Sequence, residues 1–197
     1  MEQVRSFVAI KLSDELKAEL AQLQAQLKIG QQSSVKWVNP HSIHLTLKFL
    51  GSVAMDRIGE ITGAIEAAAR GIPPFCLEVK ELGAFPNLRR VQVVWVGISG
   101  EVHKLRQIQQ HLDSNLARLG FTPESRAFAP HLTLGRFRER TSLDERQNFG
   151  QMSARISVAL VGTIEVNAIN LMKSQLTREG VIYSRISSVG LRRSTSW

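Results

Sequence analysis

A single cysteine, Cys76, stands among 197 residues. That rules out an internal disulfide framework and a cysteine-based zinc site, and such sparing use of cysteine is expected of a protein kept in the reducing cytoplasm. Aromatic residues are also scarce, at 6%. No apolar run approaches the roughly 18 residues of a membrane-spanning helix. Glu2 and Arg5 precede only a short apolar stretch, unlike a secretory leader. No glycine-rich phosphate loop or G-x-G-x-x-G follows a strand pattern, and no G-x-S-x-G elbow is present. ATP-driven, dinucleotide and serine-hydrolase chemistry therefore have no visible seat. Acid is outnumbered, with 17 Asp and Glu against 25 Lys and Arg, and the net charge of +8 favours an anionic partner, nucleic acid ahead of a membrane surface. What remains, 43% hydrophobic and 21% charged, is the composition of one globular domain or two small lobes sharing a core.

The apolar pattern sets out alternating strands and helices. Ser6-Phe7-Val8-Ala9-Ile10 reads as a strand. Ser13 then caps a helix whose stripe is Leu16, Leu20, Leu23 and Leu27, with Gly30 placed as its C-terminal cap. Ile43, Leu45, Leu47 and Phe49 alternate with His44, Thr46 and Lys48, the period of a half-buried strand that Gly51 is expected to end. A helix over Asp56 to Arg70 is stopped by Pro73-Pro74. Strands over Phe75 to Leu82 and Val91 to Ile98 follow, joined by the turn-rich Gly83-Ala84-Phe85-Pro86-Asn87. Within the first of these, Cys76 is expected as a small core residue. Val102, Leu105, Ile108, Leu112, Leu116 and Leu119 trace a helix closed by Gly120. His131-Leu132-Thr133-Leu134 alternates again, and a short helix is expected from Leu143 to Met152. Strands over Ile164 to Leu171 and Val181 to Ser187 flank a hairpin turn at Thr177-Arg178-Glu179-Gly180. Residues 191–197 have no periodicity and read as a frayed tail.

Strand, amphipathic helix, loop and His-Leu-Thr-Leu occur twice, in units of about 4–51 and 91–137. Ile10 and His44 are 34 residues apart, and Ile98 and His131 are 33 apart. This is the signature of an internal duplication and predicts two lobes about a pseudo-twofold axis. Residues i and i+2 of a strand share a face, so His44 projects with Thr46, and His131 with Thr133. Across a twofold, two imidazoles and two hydroxyls meet in one cleft. Histidine titrates near neutrality, so one neutral ring can take a proton while the other, protonated, gives one. Threonine hydroxyls can donate to the non-bridging oxygens of a phosphate, and a nearby arginine can offset its charge. Which histidine is the acid stays open at this point. A metal site would want three or four ligands, and each motif offers one, so neither metal nor cofactor is expected. His41 lies in a loop near the motif, and His103 and His111 fall off their helix stripe and are expected to face solvent.

These residues resemble the 2H phosphoesterases, named for two His-x-Thr-x motifs, and within them the RNA 2′,3′-cyclic phosphodiesterase branch, once called 2′-5′ RNA ligases. The likeness rests on Arg5-Ser6-Phe7-Val8-Ala9-Ile10, Trp37-Val38, His44-Leu45-Thr46-Leu47-Lys48-Phe49-Leu50-Gly51, Gly83-Ala84-Phe85-Pro86-Asn87 and Trp95-Val96-Gly97. It continues through Pro130-His131-Leu132-Thr133-Leu134-Gly135-Arg136 and the residues Leu171, Ser174, Leu176, Gly180 and Tyr183. It implies one α+β domain over residues 1–190, bilobal, with two mainly antiparallel sheets, outer helices and a cleft between. By the same likeness His44 is the proton donor and His131 the acceptor, while Thr46, Thr133 and Arg136 hold the phosphate. The implied substrate is RNA ending in a 2′,3′-cyclic phosphate, tRNA fragments included, hydrolysed to a 2′-phosphomonoester by a cytoplasmic monomer, with reversible ATP-independent ligation through the same groups. Arg89, Arg90, Arg138 and Arg140 are candidates for backbone phosphates, and Phe49, Phe85 and Tyr183 for stacking, although most such aromatics are expected in the core. The alternatives are a 2H enzyme for a small cyclic nucleotide and an RNA-binding module without turnover.

Overall fold

The structure is a computed structural model that describes residues 2–28, 34–178 and 180–192. The chain runs β1 (Gln3–Lys11), α1 (Asp14–Leu27), β2 (Val35–Trp37), β3 (His44–Ala54), α2 (Ile58–Ala69), β4 (Phe75–Phe85) and β5 (Val93–Gly100). It continues through α3 (Val102–Arg118), β6 (His131–Phe137), α4 (Leu143–Ser153), β7 (Gly162–Val166), β8 (Ala168–Thr177) and β9 (Gly180–Gly190). The strands form a four-stranded sheet of order β3-β1-β8-β9 and a five-stranded sheet of order β2-β6-β5-β4-β7. Every pairing is antiparallel. This is the expected α+β architecture of two lobes. No helix of the described residues is long and apolar enough to cross a membrane.

The helices join the lobes by crossing over. In α1 the Ser13 hydroxyl accepts from the Leu16 N–H, and Leu16, Leu20, Leu23 and Leu27 are all buried. Although α1 follows β1, its apolar face lies on the five-stranded sheet. The buried Gln24 amide donates to the carbonyls of Val38 and Leu134, 2.8 Å from each, and Leu16 packs over Gly162. α3, from the second repeat, packs with α2 behind β3 of the other sheet, where Asn115 donates to the Ala64 carbonyl at 3.2 Å. Each repeat thus lends its two long strands to one lobe and its helix to the other, the first repeat's short β2 going with the helix, and one apolar core runs from Val8 and Ile10 to Val94 and Leu132.

Several expectations are corrected. Gly51 does not end its strand: β3 continues to Ala54, and Gly51, at φ +72°, lies at a bulge where Leu50 is left out of the pairing with β1. Gly83 to Phe85 belong to β4 rather than to a loop. The single strand expected over Ile164 to Leu171 is two, because the chain changes sheets at Asn167, β7 pairing with β4 and β8 with β1. Both sheets bury apolar residues in one shared core, so hydrophobicity alone carries no mark of the crossing. Cys76 is exposed, on the outer face of β4 between the buried Phe75 and Leu77. The frayed end expected from residue 191 does not hold at Leu191, which is buried and donates its N–H to the Asn167 carbonyl at 2.8 Å. The rest of that expectation, residues 193–197, lies outside the described residues, as does the Gly30 cap.

Candidate active site

The two motif strands repeat each other residue for residue. From His44 to Leu50 and from His131 to Phe137, half-buried, buried and exposed positions follow in the same order. Register explains why. Lys11 pairs with His44 and Ala9 with Thr46, after which Val8 pairs with Lys48, leaving Leu47 as an extra residue. Gly97 pairs with His131 and Trp95 with Thr133, after which Val94 pairs with Gly135, leaving Leu134 as the extra residue. A bulge therefore follows each threonine, and it reverses the alternation. Leu47 with Lys48, and Leu134 with Gly135, all turn inward, and the next residue returns to the cleft side. That residue is Phe49 in one repeat and Arg136 in the other, so the two are structural counterparts.

His44, Thr46, His131, Thr133 and Arg136 all line one cavity of about 360 Å³ between the lobes. The His44 Nδ1 lies 2.8 Å from the Ser42 carbonyl and the His131 Nδ1 lies 2.7 Å from the Ala129 carbonyl. A carbonyl only accepts, so each Nδ1 carries a hydrogen and each neutral ring offers its Nε2 lone pair. Burial, which disfavours the imidazolium, holds both rings below the usual histidine range, opposed in each case by the backbone carbonyl. The symmetry breaks at Arg136, whose positive charge pushes His131 down further. Among the described residues no Asp or Glu lines this cavity. Among the described residues no group of three or more His, Cys, Asp or Glu side chains converges as a metal site would require.

Each imidazole is held between two aromatic rings. His44 packs on Phe7 with centroids 4.6 Å apart and meets Tyr183 edge-on at 4.9 Å. His131 meets Phe85 edge-on at 4.9 Å and Trp95 at 6.2 Å. Trp95 can lie there because Gly83 faces it across β4: a Cβ on Gly83 would fall 2.2 Å from the indole. Phe85 and Tyr183 thus support the histidines, whereas Phe49 is 68% exposed at the cavity rim beside Leu176 and Val181. Phe7, Phe85, Trp95 and Tyr183 entered the sequence reading through the family resemblance, and nothing in the motifs themselves marks them as ring supports. Arg5 and Ser174 also line the cavity, having entered the sequence reading through family resemblance alone. His41, His103 and His111 are exposed and do not line it. Nor do Arg89, Arg90, Arg138 and Arg140, all exposed outside it.

Known proteins share this arrangement. The profile of the family described as LigT like Phosphoesterase matches residues 10–95 and again residues 96–183, one match for each half of the duplication. An RNA 2′,3′-cyclic phosphodiesterase of Methanothermobacter thermautotrophicus is 32% identical over 182 residues, covering 92% of this chain and 96% of the relative. One of Aquifex aeolicus is 31% identical over 187 residues, covering 93% and 95%. Among solved structures, TT0787 of Thermus thermophilus superposes with a TM-score of 0.77 at 25% identity, over 96% of this chain and 99% of that one. Escherichia coli LigT complexed with 3′-AMP superposes with a TM-score of 0.76, also at 25% identity, over 96% and 99%. Two lobes closing on a twinned His-x-Thr cleft define a two-histidine phosphoesterase. The chain belongs to the LigT-like phosphoesterase family.

Proposed function

We propose that the protein hydrolyses the 2′,3′-cyclic phosphate at the 3′ end of RNA to a 2′-phosphomonoester. The observation that carries this reading is the pair of imidazoles, each tied at Nδ1 to a carbonyl two residues upstream and lining one cavity to which no carboxylate of the described residues contributes. His131 Nε2 takes a proton from water as the water oxygen bonds to phosphorus. His44, protonated, gives its Nε2 proton to the 3′ oxygen as the P–O3′ bond breaks. The products are a 2′-phosphate and a free 3′ hydroxyl, and both rings exchange protons with solvent before the next turnover. Burial lowers the pKa of both rings, and the Arg136 charge adds a further lowering at His131 alone, the direction that suits a base there. Thr46, Thr133 and Arg136 donate to the non-bridging oxygens, where negative charge grows in the transition state. The names of the relatives, RNA 2′,3′-cyclic phosphodiesterases of archaea and bacteria, support the same substrate. Run backwards with a 2′-5′ linkage, the same groups would exchange roles and ligate without ATP, since the cyclic phosphate already carries the activation.

The test is incubation, in EDTA, with an oligoribonucleotide ending in a 2′,3′-cyclic phosphate, mapping the phosphate in the product. Conversion to the 2′-phosphate, reduced about 10²- to 10⁴-fold in His131→Ala, is expected of a general base. Binding without turnover by the wild type would replace the enzyme by an RNA-binding module.

A further inference from the structure

The cavity has a second arginine. Arg136 stands on the five-stranded lobe beside the motifs, and Arg5 stands on the opposite lobe in β1. Arg5 pairs across β1 and β8 with Ser174, and Ser174 pairs across β8 and β9 with Tyr183. Directly opposed residues of antiparallel strands share a face, and all three of these line the cavity. Phe7, which packs on His44, is two residues from Arg5 on the same face of β1, a step of roughly 6.6 Å along the strand. Arg5 is thus displaced outward from Phe7, into the row of Ser174 and Tyr183, one step inside the rim formed by Leu176 and Val181. Among the described residues no carboxylate forms an ion pair with it. Its neighbours in the row are hydroxyl-bearing Ser52, on one side, and Ser174, on the other. An arginine facing into a cleft that no acid of the described residues lines, flanked by hydroxyls, matches a phosphate diester. The reacting phosphate already has two threonines and Arg136, and the offset along β1 suits the next phosphate of the strand.

We propose that Arg5, with the Ser174 hydroxyl beside it, forms a second phosphate subsite that holds the internucleotide phosphodiester on the 5′ side of the terminal nucleotide. This rests on the reading of the cleft as a site for RNA 2′,3′-cyclic phosphate ends. It makes the enzyme one for polynucleotide ends rather than for mononucleotides.

Three substrates test it: adenosine 2′,3′-cyclic phosphate, the dinucleotide ApA ending in a 2′,3′-cyclic phosphate, and that dinucleotide with a neutral methylphosphonate as its inner linkage. The wild type is expected to favour the charged dinucleotide in kcat/KM by about 10- to 100-fold over the other two, the range of a charge-assisted contact. Arg5→Gln should collapse that ratio to within three-fold, Arg5→Lys should retain part of it, and Ser174→Ala should lower it less. Equal losses on all three substrates in Arg5→Gln would overturn the subsite, and so would a wild type indifferent to the methylphosphonate. In either case turnover that His131→Ala abolishes would leave the wider reading of the cleft standing. If the wild type opens none of the three cyclic phosphates, that reading falls and the subsite falls with it.

Discussion

His44 and His131 make the same hydrogen bond to the carbonyl two residues before them, yet they differ in one charged neighbour, Arg136, and the roles proposed for them are tested through it. His131 must be neutral to act as base, so kcat/KM rises with pH through its pKa. His44 must be protonated to act as acid, so kcat/KM falls with pH through its own. Burial lowers both, so the bell-shaped profile of kcat/KM is expected to peak on the acidic side of the ordinary histidine value of about 6.5. Arg136 contributes to the lowering of His131 alone. Arg136→Gln should therefore move the acidic limb toward higher pH and leave the alkaline limb in place, besides reducing activity through loss of the contact proposed for the phosphate. An alkaline limb that moved instead would exchange the roles of the two rings. At this scale the motif residues were legible in the sequence because each His-x-Thr places two side chains on one strand face. Arg5 was harder to see, since nothing in Arg5-Ser6-Phe7 reveals that β1 turns that face toward the cleft.

The bulge after each threonine is the device that repeats at the level of elements, and its two copies are filled differently. In β6 the inward residue is Gly135, where a Cβ would meet Val35 at 2.8 Å and Trp37 at 3.0 Å. In β3 it is Lys48, 5% exposed, whose ammonium ion-pairs with Asp113 and donates to the Thr122 carbonyl at 2.9 Å. Asp113 also accepts from the Glu124 N–H, so one carboxylate ties β3 and α3 to the segment that leads to Ala129 and His131. Asp113→Asn would leave a buried ammonium without its counter-charge, a loss of roughly 3 kcal/mol in urea unfolding. Adding Lys48→Met should restore at least half of it. A single variant as stable as the wild type would show that the pair does not hold this segment. Gly83→Ala tests the other lobe. The new methyl would collide with Trp95, displace the ring against which His131 rests, and cost about 1–3 kcal/mol by overpacking. Its kcat is expected to fall by a larger factor than its KM changes. Periodicity located α1, α3 and the motif strands, because each buries one apolar face. It passed over the three-residue β2, and it read Gly51 as a stop where the glycine serves a bulge.

Over the whole molecule, the duplication explains why the cleft exists and why neither half would keep it alone. α1 covers the sheet to which its own repeat contributes neither β1 nor β3, and α3 covers the sheet that holds β3. The lobes are therefore fastened through one core while their motif strands face each other across the cavity. The 34- and 33-residue spacings announced two copies, but an exchange of helices leaves no trace in hydrophobic period, because a buried stripe looks alike whichever sheet it meets. The net charge of +8 announced an anion without saying how long. Salt dependence measures that length: each phosphate held on a single strand adds about −0.7 to the slope of log K against log salt. Binding by His131→Ala, which separates association from turnover, is expected to depend only weakly on salt for adenosine 2′,3′-cyclic phosphate and somewhat more for the dinucleotide, well short of the slope of a longer strand. Longer RNA should steepen the slope further only if cations outside the cavity take part, and the exposed Arg89 and Arg90 are the pair to test. The Asn87 side-chain oxygen accepts from both of their N–H groups, at 3.0 and 3.1 Å, holding the turn with both side chains exposed. A slope for a ten-nucleotide RNA no steeper than the dinucleotide's would confine recognition to the cavity, and Arg89→Gln with Arg90→Gln would then leave it unchanged. A steeper slope that this double substitution returns toward the dinucleotide value would place the RNA's path across the Phe85–Arg90 side of the cleft.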